Sequence, residues 1–224
     1  MTDKEINFLK ETLTFWKKLN STQQDMLIQS LRKKKFALGE SMHSGSENCS
    51  GLFLLYRGQV RAFIISDTGK EITLYRLLNR DICIFSASCL MKNISFDIYV
   101  EAEKETEAFL IPTSVFSKLS QESLAVQAFT NELMASRFSE VMWVMEQVLF
   151  MSFDKRLALF LIDQSNLDGT DEIHSTHEKI ANHLGTAREV VTRMLKYFQN
   201  EGMVSINRGT IEILDRDKLM LLAE

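Results

Sequence analysis

Proline and cysteine are scarce in this 224-residue sequence, which contains one proline and three cysteines. Three is an odd number, and the spacing is not that of a disulfide framework, so we expect reduced thiols and a cytoplasmic protein. Long apolar runs are also lacking, because the uncharged stretch from Ile82 to Met91 is about half as long as a membrane-spanning helix. The N-terminus opens with charged residues rather than the apolar core of a signal peptide. We therefore expect no membrane association.

The sequence also has no excess of positively charged residues. The formal net charge is -4, and 45% of the residues are apolar. This is ordinary globular composition, which excludes a disordered or low-complexity protein. A negative balance provides no overall attraction to nucleic acid, so any such binding must come from a local patch.

Glycine is unevenly distributed along the chain. Five of the nine glycines fall between Phe36 and Pro112, where they separate short apolar runs. The segment from Ser66 to Lys70 has the composition of a hairpin turn, in which Gly69 can adopt a positive φ. This part of the chain is therefore predicted to be a small antiparallel β structure.

The stretch from Ser120 to Phe150 contains neither glycine nor proline and predicts one long helix. Its apolar residues recur at alternating steps of four and three, the spacing of a coiled-coil seam. The predicted seam consists of Met134, Phe138, Val141, Met145 and Val148. On periodicity alone, a helix buried against its own domain is an equally good interpretation. A break is expected between Phe150 and Asp154.

The C-terminal part of the sequence predicts two short helices followed by a hairpin. Ser175 to Glu178 has the spacing of a capping box before a helix that ends at Gly185. Thr186 to Glu189 offers a second box before a helix that ends at Gly202. Two helices joined by a tight glycine turn form a helix-turn-helix. The apolar runs on either side of the turn Asn207–Gly209 add a β-hairpin, which completes a winged helix-turn-helix.

From Thr176 to Lys196 the sequence is THEKIANHLGTAREVVTRMLK. Together with the preceding β segments, which contain Tyr56–Val60 and Gly69–Glu71, and the long helix, this motif resembles the CRP/FNR family of transcription regulators. The resemblance covers the whole chain. It implies an α+β fold with N-terminal helices and an antiparallel β-roll of the cupin-like jelly-roll type, a long dimerisation helix and a C-terminal winged helix-turn-helix. The implied domains are a sensor at 1–118, a dimerisation helix at 119–150 and a DNA-binding domain at 151–224.

The resemblance further implies a homodimer that binds a palindromic DNA site with a GTGA-like core and also contacts RNA polymerase. Arg188, Glu189 and Arg193 are the candidates for base contacts. Glu189 and Arg193 share one helix face, and these residue types can bond guanine and cytosine edges in the major groove. The alternative is that Glu189 only caps its helix and that the arginines are solvated. The other DNA-binding candidates, several of them for phosphates, are Thr176, His177, Thr186, Thr192, Lys196 and Arg208.

The sensor departs from the pattern of cyclic-nucleotide-binding family members. In those members a Gly-Glu-Leu segment holds the ribose, and a later arginine neutralises the cyclic phosphate. Here Ile84 and Phe85 replace the Gly-Glu pair, Ser95 and Phe96 replace the arginine and its neighbour, and no arginine occurs between Arg80 and Pro112. Burying a phosphate without a cation is costly, so cyclic AMP is not expected to bind. The effector-binding candidates, for a different or uncharged apolar ligand or for none, are Ile84, Phe85, Ser86, Ser95 and Phe96.

Three alternatives to a ligand-responsive regulator can be compared. A constitutive DNA-binding protein with a vestigial sensor is one. A thiol or haem redox sensor is another: Cys83 and Cys89 could form a thiol switch, although we favour small buried hydrophobes, and His43 is interpreted as a surface turn residue rather than a haem ligand. Three thiols are too few for a four-cysteine iron–sulfur cluster. An enzyme is not supported, because no catalytic or metal-binding motif occurs, and we expect no cofactor and no metal.

Overall fold

The computed structural model describes residues 1–45, 51–86 and 97–223. Within them the expected α+β fold is confirmed. The helices are α1 (Asp3–Thr12), α2 (Ser21–Ser30), α3 (Thr113–Glu122), α4 (Leu124–Phe150), α5 (Phe153–Asp168), α6 (His177–Leu184), α7 (Arg188–Asn200) and α8 (Arg216–Ala223), with a 3-10 turn at Trp16–Lys18. The strands are β1 (Arg32–Phe36), β2 (Ser41–Ser44), β3 (Leu52–Arg57), β4 (Val60–Ile65), β5 (Glu71–Leu77), β6 (Ile82–Cys83), β7 (Tyr99–Ala102), β8 (Thr106–Ile111), β9 (Glu172–Ile173), β10 (Val204–Asn207) and β11 (Thr210–Ile213).

The chain divides into two compact units. The first contains Met1–Ile64 and Leu74–Val141, and the second contains Ile65–Thr73 and Met142–Glu224. No helix in the described ranges combines the length and the apolarity that a bilayer crossing requires.

The β structure consists of two four-stranded sheets, in the orders β1-β8-β3-β6 and β2-β7-β4-β5. Side chains alternate between the faces of a strand, so β3 is buried on both sides. Leu52 and Leu54 pack with the N-terminal helices, whereas Phe53 and Leu55 pack with apolar residues of the second sheet. The predicted hairpin turn is confirmed: β4 ends at Ile65, β5 begins at Glu71, and Gly69 has φ +78.

His43 does not lie on a surface turn, and this expectation was wrong. It is in β2 and only 3% exposed. The pairing of β2 with β7 shifts register between Ser41 and His43, as at a β-bulge. A bulge interrupts the alternation of faces, which explains why Met42 and His43 are both buried.

The second unit contains the predicted helix-turn-helix and wing, together with one strand that was not predicted. The wing strands β10 and β11 pair through a turn at Arg208 and Gly209, and β9 adds a third strand to β11. One apolar cluster joins this sheet to the helices and includes Leu157, Ile180, Val191 and Phe198. The sheet and helices thus share one core, and this core determines which residues of α7 are exposed to solvent.

Candidate nucleic-acid interface

Helices α6 and α7 are joined by the three-residue turn Gly185–Ala187. Gly185 ends α6 in the left-handed conformation, with φ +67, which favours glycine. At the start of α6, Thr176 is the N-cap and its Oγ1 accepts from the Lys179 N–H at 3.2 Å. The predicted cap was therefore one residue too early.

The predicted capping box at the start of α7 was wrong. Ala187 occupies the N-cap position and forms no side-chain cap. Thr186 belongs to the turn instead, where its N–H donates to the Ala181 carbonyl at 3.1 Å. Glu189 is exposed, and within the described part of the chain its carboxylate has no hydrogen bond or ion pair. Capping therefore does not occupy this side chain.

Helix α7 presents two faces. Its buried face consists of Val191, Leu195 and Phe198, which pack into the apolar cluster of the second unit. Its exposed residues include four of the sequence-predicted candidates: Arg188, Glu189, Arg193 and Lys196. A helix with one buried face and one exposed charged face can enter a major groove without unpacking the domain.

His177 and Thr192 connect the two helices. His177, half-buried in the first turn of α6, has its Nδ1 2.8 Å from Thr192 Oγ1 on α7. Thr192 Oγ1 in turn donates to the Arg188 carbonyl at 2.9 Å. Burial and the nearby charge of Arg188 lower the pKa of His177 from its ordinary value of 6.5.

A groove of about 480 Å³ runs between the start of α6 and the turn of the wing. Four of the predicted DNA-binding candidates line it: Thr176, His177, Arg188 and Arg208. Asn207 and Thr210, which flank the wing turn, also line it and were missed by sequence reasoning. The sequence did contain a signal for these two residues: a two-residue turn at Arg208–Gly209 places Asn207 and Thr210 at the tip of the hairpin.

The family of this chain follows from its similarity to a solved structure. The chain is 46% identical to a protein from Eubacterium rectale assigned to the Crp/Fnr family of transcriptional regulators, and the match covers 96% of this chain and 99% of that one with a TM-score of 0.93. The chain belongs to the CRP/FNR family of transcription regulators. It is therefore a DNA-binding regulator with a helix-turn-helix.

Three further matches agree with membership of the CRP/FNR family. Residues 155–222 match the model of the Crp-like helix-turn-helix domain. Electron transport regulator A of Shewanella oneidensis is 27% identical over 92% of this chain and 84% of that protein. The cAMP-activated global transcriptional regulator Vfr of Pseudomonas aeruginosa is 24% identical over 84% of this chain and 92% of that protein. These relatives are transcription regulators.

The single helix predicted from Ser120 to Phe150 is interrupted at Ser123, because residues 120–122 belong to α3. The long helix of this CRP/FNR protein therefore begins at Leu124, and it carries an exposed stripe along its whole length. The stripe residues are separated by alternating steps of four and three and are all exposed: Leu124, Ala128, Asn131, Ala135, Phe138, Met142, Met145 and Leu149. Of the five seam residues predicted from the sequence, Phe138, Met145 and Val148 are exposed. Met134 and Val141 are half-buried and pack against the β-roll core. The predicted seam thus combined residues from two faces of the helix.

The described effector candidates lie in the interior of the β-roll. Ile84 and Phe85 belong to the apolar core and are 2% and 5% exposed. Ser86 is fully buried, with its Oγ 2.6 Å from the Gly51 carbonyl and 2.8 Å from the Cys83 carbonyl, so its hydroxyl is engaged by the backbone. Ser95 and Phe96 lie outside the described residues, as does Cys89.

Sequence reasoning missed a buried polar cluster beside these residues. Arg137 of α4 is 5% exposed, and its guanidinium lies 4.9 Å from the ring centre of Tyr75. Its Nη1 donates to both carboxylate oxygens of Glu140 at 2.7 Å. Burial raises the pKa of Tyr75 well above its ordinary value, so the phenol remains neutral. No sequence signal marks Arg137, because an arginine on an amphipathic helix normally faces water.

Cys83 is fully buried in the β-roll, in agreement with the interpretation as a small buried hydrophobe. Burial raises the pKa of its thiol, which keeps it in the unreactive protonated form. Within the described ranges no group of His, Cys, Asp and Glu residues is arranged to hold a metal ion.

Proposed function

We propose that this CRP/FNR protein is a homodimeric regulator that reads a palindromic DNA site with α7 of each subunit. In this proposal the β-roll responds to a signal other than a cyclic nucleotide. The observation that carries it is the exposed charge on α7, at Arg188, Glu189 and Arg193, for which the described residues provide no side-chain hydrogen bond or ion pair. These three side chains project from a helix whose other face is fixed in a core.

Base contacts follow from the chemistry of these side chains. An arginine can donate two hydrogen bonds to the O6 and N7 of guanine, and a glutamate can accept one from the N4 amine of cytosine. Glu189 is free for such a contact, since it does not cap its helix. Arg193 follows it by one helical turn on the same face. The half-site is proposed to contain the GTGA-like core that the resemblance implies.

Phosphate contacts are assigned to the side chains around the recognition helix. Lys196 and Arg208 are exposed cations on α7 and on the wing turn. Thr176 and Thr186 supply hydroxyl groups, and His177 lines the groove between the start of α6 and the wing. The Thr192 hydroxyl is engaged by Arg188 and His177, so this residue is proposed to position the interface instead. Contacts of this type fix the register of the protein on DNA and make its affinity depend on salt.

The stripe on α4 is proposed to pair with its counterpart in a second subunit. Five large apolar residues along it are exposed, and alternating steps of four and three suit a two-stranded coiled coil. Asn131 is a polar member of the stripe. A single polar residue in such a seam lowers stability but favours one register, so it suits a parallel pair of identical helices.

The signal is proposed to act on the sensor segment at 1–118. It is coupled to the DNA-binding segment at 151–224 through the dimerisation segment at 119–150, which contains α4. Ligand binding would raise the population of dimers that are competent to bind DNA. Contact with RNA polymerase also belongs to the proposal, because the family resemblance implies it.

Two measurements test the proposal. Selection from random duplexes should enrich a palindrome with two GTGA-like half-sites, and sedimentation should show a dimer both free and on this DNA. Enrichment of an unrelated core would contradict the base contacts. A monomer that binds one half-site with full affinity would contradict the dimer.

A further inference from the structure

The histidine at the start of α6 is held in one orientation by its bond to the recognition helix. His177 Nδ1 and Thr192 Oγ1 are 2.8 Å apart, and the Thr192 hydroxyl donates its proton to the Arg188 carbonyl. A hydroxyl has only one proton, so it cannot also donate to the imidazole. Nδ1 must therefore carry a hydrogen and donate to Thr192.

This arrangement leaves the second ring nitrogen, Nε2, for an external partner. In the part of the chain that the structure describes, Nε2 has no hydrogen-bond partner, and the residue lines the groove between α6 and the wing. In neutral His177 this nitrogen offers a lone pair, which repels a phosphate oxygen. In the imidazolium it offers a charged N–H, which attracts one.

The charged groups around His177 favour the neutral form before DNA binds. Arg188 of α7 faces it and Arg208 of the wing lines the same groove. Among the described residues that line the groove, Glu178 is the only acidic one. His174, on the segment before α6, is exposed, and its Nδ1 lies 3.2 Å from Thr210 Oγ1. With two arginines and one glutamate around the groove, a positive charge on His177 is unfavourable until an anion binds there.

We propose that His177 is a proton-linked DNA contact: its Nε2 becomes a charged donor to a backbone phosphate in this groove, so that each subunit takes up one proton as DNA binds. This inference rests on the proposed function, since it requires DNA to occupy the groove. It assigns to His177 a role distinct from that of the permanently charged arginines. The phosphate neutralises the repulsion from Arg188 and Arg208 and stabilises the imidazolium.

The sign of the pH dependence follows from linkage. Burial and the charge of Arg188 lower the pKa of His177 in the free protein, and a bound phosphate raises it. Proton uptake on binding means that the affinity for DNA is highest below the lowered pKa and falls as the pH rises through the raised one. The steepest possible dependence is about tenfold in Kd per pH unit for each subunit.

The experiment measures the affinity of the full-length protein for the duplex that the selection above enriches. Binding is followed by fluorescence anisotropy from about pH 5.5 to about pH 8 at constant ionic strength, a range that brackets the ordinary histidine pKa. His177→Asn retains a donor near Nδ1, whereas His177→Gln retains an uncharged donor near Nε2. His174→Gln is the matched control, because it removes a neighbouring, exposed histidine that this mechanism does not use.

Kd of the wild-type protein and of His174→Gln should rise together with pH, and both His177 variants should show a flat profile. The Gln variant should bind more tightly than the Asn variant above pH 7, since only Gln can still donate toward the phosphate. A wild-type profile without slope, or an equal slope in the His177 variants, would overturn the inference while leaving DNA binding intact. Failure to bind DNA at any pH would overturn the proposed function as well.

A second measurement needs no substitution. The pKa of each histidine in the wild-type protein can be followed by NMR with and without DNA. The pKa of His177 should rise on binding. An unchanged or lowered pKa for His177 in the complex would contradict the proposal.

Discussion

The guanidinium of Arg137 lies 4.9 Å from the ring centre of Tyr75, in the interior of the first unit. Tyr75 is 7% exposed and Arg137 is 5% exposed, so water hydrates neither group well. The charge of Arg137 is neutralised by Glu140, whose side chain is 36% exposed. A buried cation therefore depends on a carboxylate that is partly in contact with water.

Because Arg137 is buried and Glu140 is partly exposed, removing one partner of this ion pair should cost more folding stability than removing the other. Glu140→Gln leaves the cation buried without its counter-charge and should cost about 1 to 3 kcal/mol, less than a fully buried pair because Glu140 is partly solvated. Arg137→Met removes the buried charge and leaves a carboxylate that water can hydrate, so the cost should stay below about 1 kcal/mol. Urea unfolding followed by the fluorescence of the buried Trp16 measures both. A larger loss for Arg137→Met would contradict the assignment.

Two substitutions on α7 should separate base contacts from phosphate contacts. Arg193→Ala is expected to lower affinity for the selected site by about 1 to 3 kcal/mol and to relax the preference at one base position. Lys196→Ala is expected to weaken binding to all sequences similarly and to reduce the dependence of affinity on salt. Repeated selection and salt titrations with each variant test this. The assignment would be reversed if Lys196→Ala changed the enriched sequence.

Phe138 and Val141 lie one helical turn apart on α4 and should respond differently to the same change. Phe138→Glu introduces a charge into the exposed stripe, so it should yield folded monomers that bind DNA weakly. Val141 packs against the β-roll, so Val141→Glu should lower the melting temperature instead. Ser136→Glu, exposed on α4 outside the stripe, is the control for added charge. Sedimentation of a Phe138→Glu dimer would contradict the proposed interface.

Cyclic nucleotides should have no effect on this regulator. Ile84 and Phe85 are part of the packed core, and no arginine occurs between Arg80 and Pro112 to neutralise a phosphate. Millimolar cyclic AMP or cyclic GMP should change neither the melting temperature nor the affinity for DNA. The assay is sensitive, because a ligand at about 100 times its Kd stabilises a folded protein by about 2.7 kcal/mol. A saturable rise in melting temperature with either nucleotide would refute this.

The order of the elements could be predicted from local patterns. Apolar runs separated by glycines indicated the sheets, and two short amphipathic helices separated by Gly185 indicated the helix-turn-helix. The exposed residues of α7 also followed from periodicity, because its apolar face is continuous from Val191 to Phe198. Each of these features depends on residues that are close in sequence.

Features that depend on tertiary packing could not be predicted. Helix α4 carries apolar residues on two faces with nearly the same period, so the sequence could not show that Met134 faces the β-roll while Phe138 faces outward. The bond between His177 and Thr192 joins two helices whose relative angle is set by the core. The burial of Arg137 depends on contacts with Tyr75 of β5 and with the Ile82 carbonyl of β6, which are distant in sequence. The cap of α6 was misplaced by one residue, because Ser175 and Thr176 both precede the helix and only the backbone selects between them.

The uncapped start of α7 affects which substitutions this protein can accept during evolution. A serine or aspartate in place of Ala187 would satisfy a free N–H group of the helix and typically adds about 1 kcal/mol of stability. The same side chain would stand beside Arg188 and Glu189, at the edge that is proposed to meet DNA, and an aspartate would repel phosphates there. For an Ala187→Asp change, evolutionary selection for a more stable fold and for DNA binding would therefore act in opposite directions.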